Sequence, residues 1–197
     1  MTLDAYGTLV ELDGHIERLQ SSLAAAGVDA DRAAIERAFE IEVAYYAEHK
    51  CEAADETALA TLRRDCARVF TAALGLELDF EAAFANAIRF RPLPGVAEAL
   101  AELRARGLGL AVVSNWDCGL ARQLERVRIA VDVVVTCAGA GVAKPAPAIF
   151  RQALERLGVA AQRTLHIGDD SADEQGAAAA GLHYAAAPLA DVVAAWP

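Results

Sequence analysis

Four separated segments of this 197-residue chain carry side chains that could do chemistry together: Asp4-Ala5-Tyr6-Gly7-Thr8, Ser114-Asn115, Lys144-Pro145 and Gly168-Asp169-Asp170, with Asp173 one helical turn beyond the last. Taken singly, each has an ordinary use. An acid after a strand caps a helix, Ser-Asn makes a turn, a lysine before proline sits in solvent, and acids in a first turn complement the helix dipole. Brought to one edge they behave differently, because converging carboxylates repel and raise one another's pKa unless a cation neutralises them. Lys144 is one such cation and a divalent metal is a second. Oxygen ligands without a His or Cys cluster point to Mg²⁺, which typically takes one or two carboxylates, waters and a substrate phosphate.

The elements around these segments would position them. Met1 to Leu3 reads as the tail of a strand, shorter than the usual five or six residues, which suggests a clipped edge or a native start upstream of Met1. From Asp13 to Ile88 apolar residues recur at helical spacing (Ile16, Leu19, Leu23; Ile35, Phe39, Val43, Tyr46; Leu59, Leu62, Cys66, Val69, Phe70; Phe80, Phe84, Ile88) with no proline. Gly27 and Gly75 fall where helices should stop. The spacing predicts about four helices, ended by Arg91-Pro92-Leu93-Pro94-Gly95. Beyond Pro94, amphipathic helices alternate with short apolar runs: Leu108 to Val113, Val131 to Val135, Thr164 to Ile167 and Leu182 to Ala185. Such alternation predicts an α/β fold, a parallel sheet covered by helices on both faces. The expected core is residues 1–12 and 92–197, with residues 13–91 a helical insertion. In such sheets ligands gather outside the carboxyl ends of the strands, where the four segments fall.

In order, Asp4-Ala5-Tyr6-Gly7-Thr8-Leu9, Ser114-Asn115, Lys144-Pro145 and Gly168-Asp169-Asp170-Ser171-Ala172-Asp173 resemble the four motifs of the haloacid dehalogenase superfamily. Val113-Ser114-Asn115-Trp116-Asp117 and Gly141-Val142-Ala143-Lys144-Pro145 look like its branch with a helical cap between the first two motifs. The resemblance implies a Rossmann-like core and a cap that closes over the site and supplies substrate contacts. It implies that Asp4 attacks the substrate to give an aspartyl intermediate, splitting one hard displacement into two easier steps. Thr8, Ser114, Asn115 and Lys144 would bind the substrate, with Lys144 offsetting negative charge on it and on Asp4. Mg²⁺ would be held by Asp4, the backbone carbonyl of Tyr6, Asp169 and, through water, Asp173.

One position departs from the pattern. Phosphatases of this superfamily usually carry a second aspartate, a general acid and base, where this chain has Tyr6. Losing that group typically costs roughly 10² to 10⁴ in rate. Asp13, Asp117 and Asp170 are candidate substitutes by proximity in sequence, and the Tyr6 ring is expected to be packing beneath the inserted helices. Asp-x-Tyr-Gly-Thr also resembles the metal-independent 2-haloacid dehalogenases, which have Ser and Asn where this chain has Asp169 and Asp170; its acidic edge would repel a haloacid carboxylate. Mg²⁺-dependent hydrolysis of a small phosphorylated metabolite is therefore the first reading, dehalogenation the second, and a catalytically weak metabolite-binding protein the third.

Composition agrees with a small-molecule enzyme. A net charge of −10 argues against nucleic-acid or acidic-membrane partners. Although 55% of residues are apolar, no run approaches the roughly 20 residues of a membrane span, and no signal peptide is evident, so a cytoplasmic location is expected. Cys51, Cys66, Cys118 and Cys137 form no metal or disulfide pattern and read as reduced, mostly buried residues. There is no GxSxG or GxxxxGK. His166, in an apolar strand, reads as a satisfied core histidine, Tyr45 and Tyr46 as packing of the insertion, and Trp116 as a wall of the pocket or as burial between core and insertion. Arg18, Arg89 and Arg91 could meet an anionic substrate but are expected in solvent. Oligomeric state is not legible.

Overall fold

The computed structural model describes residues 1–196. In chain order its strands are β1 (Thr2–Leu3), β2 (Val10–Leu12), β3 (Phe90–Pro92), β4 (Ala111–Ser114), β5 (Val133–Thr136), β6 (Leu165–Gly168) and β7 (His183–Ala186). The helices are α1 (His15–Ala25), α2 (Arg32–His49), α3 (Glu56–Ala73), α4 (Glu81–Ala87), α5 (Val96–Ala105), α6 (Leu120–Arg126), α7 (Cys137–Ala140), α8 (Pro147–Leu157), α9 (Ser171–Ala180) and α10 (Leu189–Ala194). None among the described residues is long and apolar enough to cross a membrane.

Five strands form a parallel sheet in the order β5-β4-β1-β6-β7. Ala-Val-Val-Ser of β4 is buried along its whole length, as a strand covered on both faces must be. The two apolar clusters that flank the sheet centre on Leu3, Leu103, Val112 and Ile167, and on Val113, Ile149, Phe150 and Ala177. The fold is thus α/β and Rossmann-like. Direction of travel through the sheet reverses between β1 and β6, the kind of switch point at which ligands bind. Register makes this concrete: Leu3 pairs with Val112 and Ile167, so the next residue, Asp4, emerges beside Val113 and Gly168.

Helices α1 to α4 bury a cluster of their own, including Leu19, Leu23, Ile35, Leu59 and Phe70. Asp31 and Asp55 cap α2 and α3 by accepting bonds from backbone N–H groups of Ala34 and of Thr57 and Ala58. Gly27 and Gly75 follow α1 and α3 in the left-handed conformation, at φ 79° and 71°.

Several features differ from expectation. Segments Val10–Leu12 and Phe90–Pro92 pair antiparallel as a ribbon joining the helices to the sheet; three-residue strands are too short to show a period. The short helices α7 and α10 were not expected for the same reason. Two cysteines read as reduced are bonded to each other: Cys51, in the 3₁₀ turn Lys50–Glu52, forms a disulfide with Cys137 at the start of α7. Folding brings their Cα atoms to 5.1 Å across a separation of 86 residues, a proximity that spacing in a sequence cannot display. Cys66 and Cys118 are free.

Candidate active site

Asp4 is fixed by the sheet, its N–H donating to the Ile167 carbonyl at 2.9 Å. The chain then turns at once, with Leu9 and Val10 N–H both bonded to the Ala5 carbonyl. Gly7 is needed in that turn for two reasons: its φ is 77°, and a Cβ there would lie 2.2 Å from Asp169 Oδ2. Thr8, fully buried, donates its hydroxyl to Asp169 Oδ1 at 3.2 Å. The first and fourth segments are therefore locked together across the switch point.

Lys144 is buried with its ammonium 2.7 Å from Asp4 Oδ1 and 2.6 Å from Asp173 Oδ1. Asn115 holds it there. The Asn115 amide donates to the Lys144 carbonyl at 3.1 Å and its oxygen accepts from the Lys144 N–H at 2.8 Å. Both ends of this side chain are thus spent on the Lys144 backbone, so Asn115 positions the lysine loop. Ser114, at the end of β4, is buried on the same edge.

Asp173 is fully buried and carries two partners on Oδ1, Lys144 and His166 Nε2 at 2.7 Å. An ionised carboxylate only accepts, so His166 Nε2 donates to it, while Nδ1 lies 3.0 Å from the Thr2 hydroxyl. His166 is the satisfied core histidine expected, yet it also braces the site. Burial alone would raise the Asp173 carboxyl, but His166 and Lys144 together bring it down to about 2. Asp4 goes the other way: burial raises it, and the charge of Asp173 adds to that against the pull of Lys144. Asp169 is raised too, by partial burial and the nearby Asp4. Burial would lower the Lys144 ammonium, but the two carboxylates outweigh it and raise it.

Three carboxylates face one ammonium. Asp4, Asp169 and Asp173 each offer an oxygen, all within 4.8 Å of one another, leaving two negative charges for Lys144 not to cover. Asp4 Oδ1 is buried and, despite the nearby ammonium, receives no hydrogen bond of good geometry. A hard divalent cation fits this donor set in charge and ligand type, and Asp169 is exposed on the open side.

Other expectations meet mixed outcomes. Tyr6 is 48% exposed rather than buried as packing beneath the helices. Each proposed substitute acid is engaged elsewhere. Asp13 pairs with Arg18, Asp117 accepts from Tyr46 and the Gly119 N–H, and Asp170 caps α9. Tyr46 is more than packing, since its hydroxyl reaches Asp117 at 2.8 Å and ties α2 to the loop after β4. Arg91 pairs with Glu11 on the ribbon and Arg89 bonds the Asn86 carbonyl.

One residue on this edge was missed. Lys50, half-buried just after α2, holds its ammonium 5.9 Å from the Tyr46 ring centroid and makes no ion pair within 4 Å among the described residues. Burial lowers its pKa, while the negative charges of Asp4, Asp170 and Asp117 pull it back up. A lysine in a turn between helices carries no sequence signal; only the docking of that turn shows what it faces.

The haloacid dehalogenase-like hydrolase family model matches residues 1–181. The chain is 39% identical over 107 residues to haloacid dehalogenase-like hydrolase domain-containing protein 3 of Mus musculus, covering 51% of this chain and 41% of that protein. It is 36% identical over 113 residues to the phosphoserine phosphatase of Thermus thermophilus, covering 52% of this chain and 43% of the phosphatase. The chain thus matches about two fifths of the length of these curated relatives. The structure of L-2-haloacid dehalogenase from Xanthobacter autotrophicus superposes with a TM-score of 0.66 at 25% identity, covering 93% of this chain and 74% of the dehalogenase.

Proposed function

The chain belongs to the haloacid dehalogenase-like hydrolases, and from that membership we propose that it is a Mg²⁺-dependent phosphatase of small phosphorylated metabolites, working in the cytoplasm. The observation that carries the reading is the acidic edge itself, three carboxylates gathered around one buried ammonium. A phosphatase uses that arrangement once a metal is bound, whereas a haloacid carboxylate would be repelled by it. Similarity to a phosphoserine phosphatase supports the same choice.

In this reading residues 1–12 and 92–197 are the catalytic core and residues 13–91 a cap. Asp4, the Tyr6 carbonyl, Asp169 and Asp173 would hold Mg²⁺, which would supply charge neutralisation at the phosphoryl oxygens. Asp4 attacks phosphorus, the P–O bond to the leaving alcohol breaks, and the phosphoryl group stays on the Asp4 carboxylate as an acyl phosphate. Ser114 donates a hydrogen bond to a transferring oxygen, Thr8 steadies Asp169, and Lys144 counters charge as it builds up on the phosphoryl oxygens. Lys50 adds a second cation from the cap side. Water then attacks the acyl phosphate, releasing inorganic phosphate and restoring Asp4. With Tyr6 in place of an acid, the leaving alkoxide draws its proton from solvent, which makes the first step slow.

The second reading is 2-haloacid dehalogenation, favoured by Tyr6 and by the likeness to the Xanthobacter enzyme; halide leaves without a proton. Assaying phosphate release from small phosphoesters with and without Mg²⁺, beside Asp4→Asn, separates the two. We expect metal-dependent turnover that the substitution abolishes. Halide release from 2-haloacids without phosphate release would reverse the ranking.

A further inference from the structure

We propose that the Cys51–Cys137 disulfide is a redox clasp that restrains helices α1 to α4 over Asp4, and that a dithiol reductant frees them. The inserted helices are joined covalently to the core at three points: the two strands of the ribbon and this disulfide. The ribbon follows β1, at the centre of the sheet, whereas Cys137 follows β5, an edge strand two positions away. The clasp therefore ties the helices to the core through a different strand from the one that leads into the ribbon.

Geometry sets how much motion the clasp permits. The two Cα atoms are 5.1 Å apart, and disulfides rarely span more than about 6.8 Å. The slack of about 1.7 Å leaves the helices little room to move away from the core at that point. Beside the clasp lie three non-covalent ties: Tyr46 to Asp117, the Cys118 N–H to the Ala53 carbonyl at 3.0 Å, and Arg122 to Glu56. Those exchange with water as the helices move; the S–S bond does not. Below them Asp4, Ser114 and Lys144 are buried, so lifting the helices would widen a substrate's access to Asp4. The clasp also fixes Lys50, which precedes Cys51 in the chain.

The chemistry is ordinary thiol exchange. Cys51 is partly exposed while Cys137 is fully buried, so a dithiol's thiolate attacks the Cys51 sulfur, breaking the S–S bond and expelling Cys137 as a thiolate, which takes a proton. The reductant's second thiolate then displaces Cys51 from the mixed disulfide. The dithiol ends oxidised to a disulfide, and two electrons and two protons have passed to the protein. The Trp116 carbonyl, 3.5 Å from Cys137 Sγ, stands ready to accept from the new thiol.

The test compares oxidised and dithiothreitol-reduced protein. Thiol titration in denaturant should find two thiols before reduction, Cys66 and Cys118, and four after it. Amide hydrogen exchange should quicken after reduction across residues 50–53 and 116–118, and phosphate release should rise severalfold as opening ceases to limit turnover. Cys51→Ser should match reduced protein under both conditions, while Cys66→Ser keeps the redox response. Four thiols in the oxidised protein, or exchange and turnover indifferent to redox state, would overturn the proposal. The activity arm rests on the phosphatase reading; absence of phosphate release in every state would count against that reading alone, because thiol counts and hydrogen exchange still decide the clasp.

Discussion

Tyr6 stands two residues after Asp4, the proposed nucleophile, and is about half exposed, and the three acids that could have stood in for it are bound to other partners. On the phosphatase reading proposed above, what this chain lacks is the proton delivered to the leaving group, while Asp4 and Lys144 would supply attack and charge. Tyr6→Asp should restore a donor at a place that already opens toward solvent. We expect phosphatase kcat to rise by roughly 10² or more, the scale of a positioned acid, with Mg²⁺ dependence kept. A steady-state comparison on one phosphoester decides it, and an unchanged or lower kcat would mean that the turn after Asp4 does not aim position 6 at the leaving oxygen.

Helix α2 is the element that links the inserted core to the site. Glu42, Tyr46 and Lys50 recur every four residues along one face of it and its 3₁₀ extension, running from the apolar cluster through the Asp117 tie to the cation facing Asp4. Glu42 is the costly member. It is buried, the Cys66 thiol lies beside its carboxyl, and burial pushes its pKa up to about 7 from an ordinary 4.5. The folded state therefore keeps a proton that the unfolded chain has already lost between those values. By linkage, stability contributed by neutral Glu42 is full below about 4.5, declines as pH rises, and is lost above about 7. Glu42→Gln keeps the shape and removes the titration. Thermal unfolding from pH 4.5 to 8.5 should show the variant gaining on wild type with rising pH, by on the order of 3 kcal/mol at the upper end. Parallel pH profiles would show that Glu42 is not held neutral by the fold.

At the scale of the whole molecule, what the sequence made legible was whatever rests on repetition or on strand ends. Apolar runs flanked by helices imply the parallel sheet, and its rule about carboxyl ends brings Asp4, Ser114, Lys144 and Asp169 to one edge. The ribbon, the Cys51–Cys137 bond and Lys50 were not legible, because each depends on how the inserted helices dock, and docking leaves no period in a sequence. That docking edge is also where the molecule is held against its own charge. Strands β1 and β6, drawn together by backbone bonds, force Asp4 beside Asp169, and burial and repulsion raise both carboxyls. A cation that binds only this folded arrangement must stabilise the whole chain. At Mg²⁺ a hundredfold above its Kd the gain is about 2.7 kcal/mol, or roughly 5–10 °C in Tm for a domain of this size. Asp169→Asn should behave oppositely in the two conditions: at least as stable as wild type in EDTA, since repulsion with Asp4 is relieved, yet with little of the Mg²⁺ shift. A wild-type Tm that ignores Mg²⁺ would place the neutralising charge on the protein itself and return the weight to a metal-independent hydrolase.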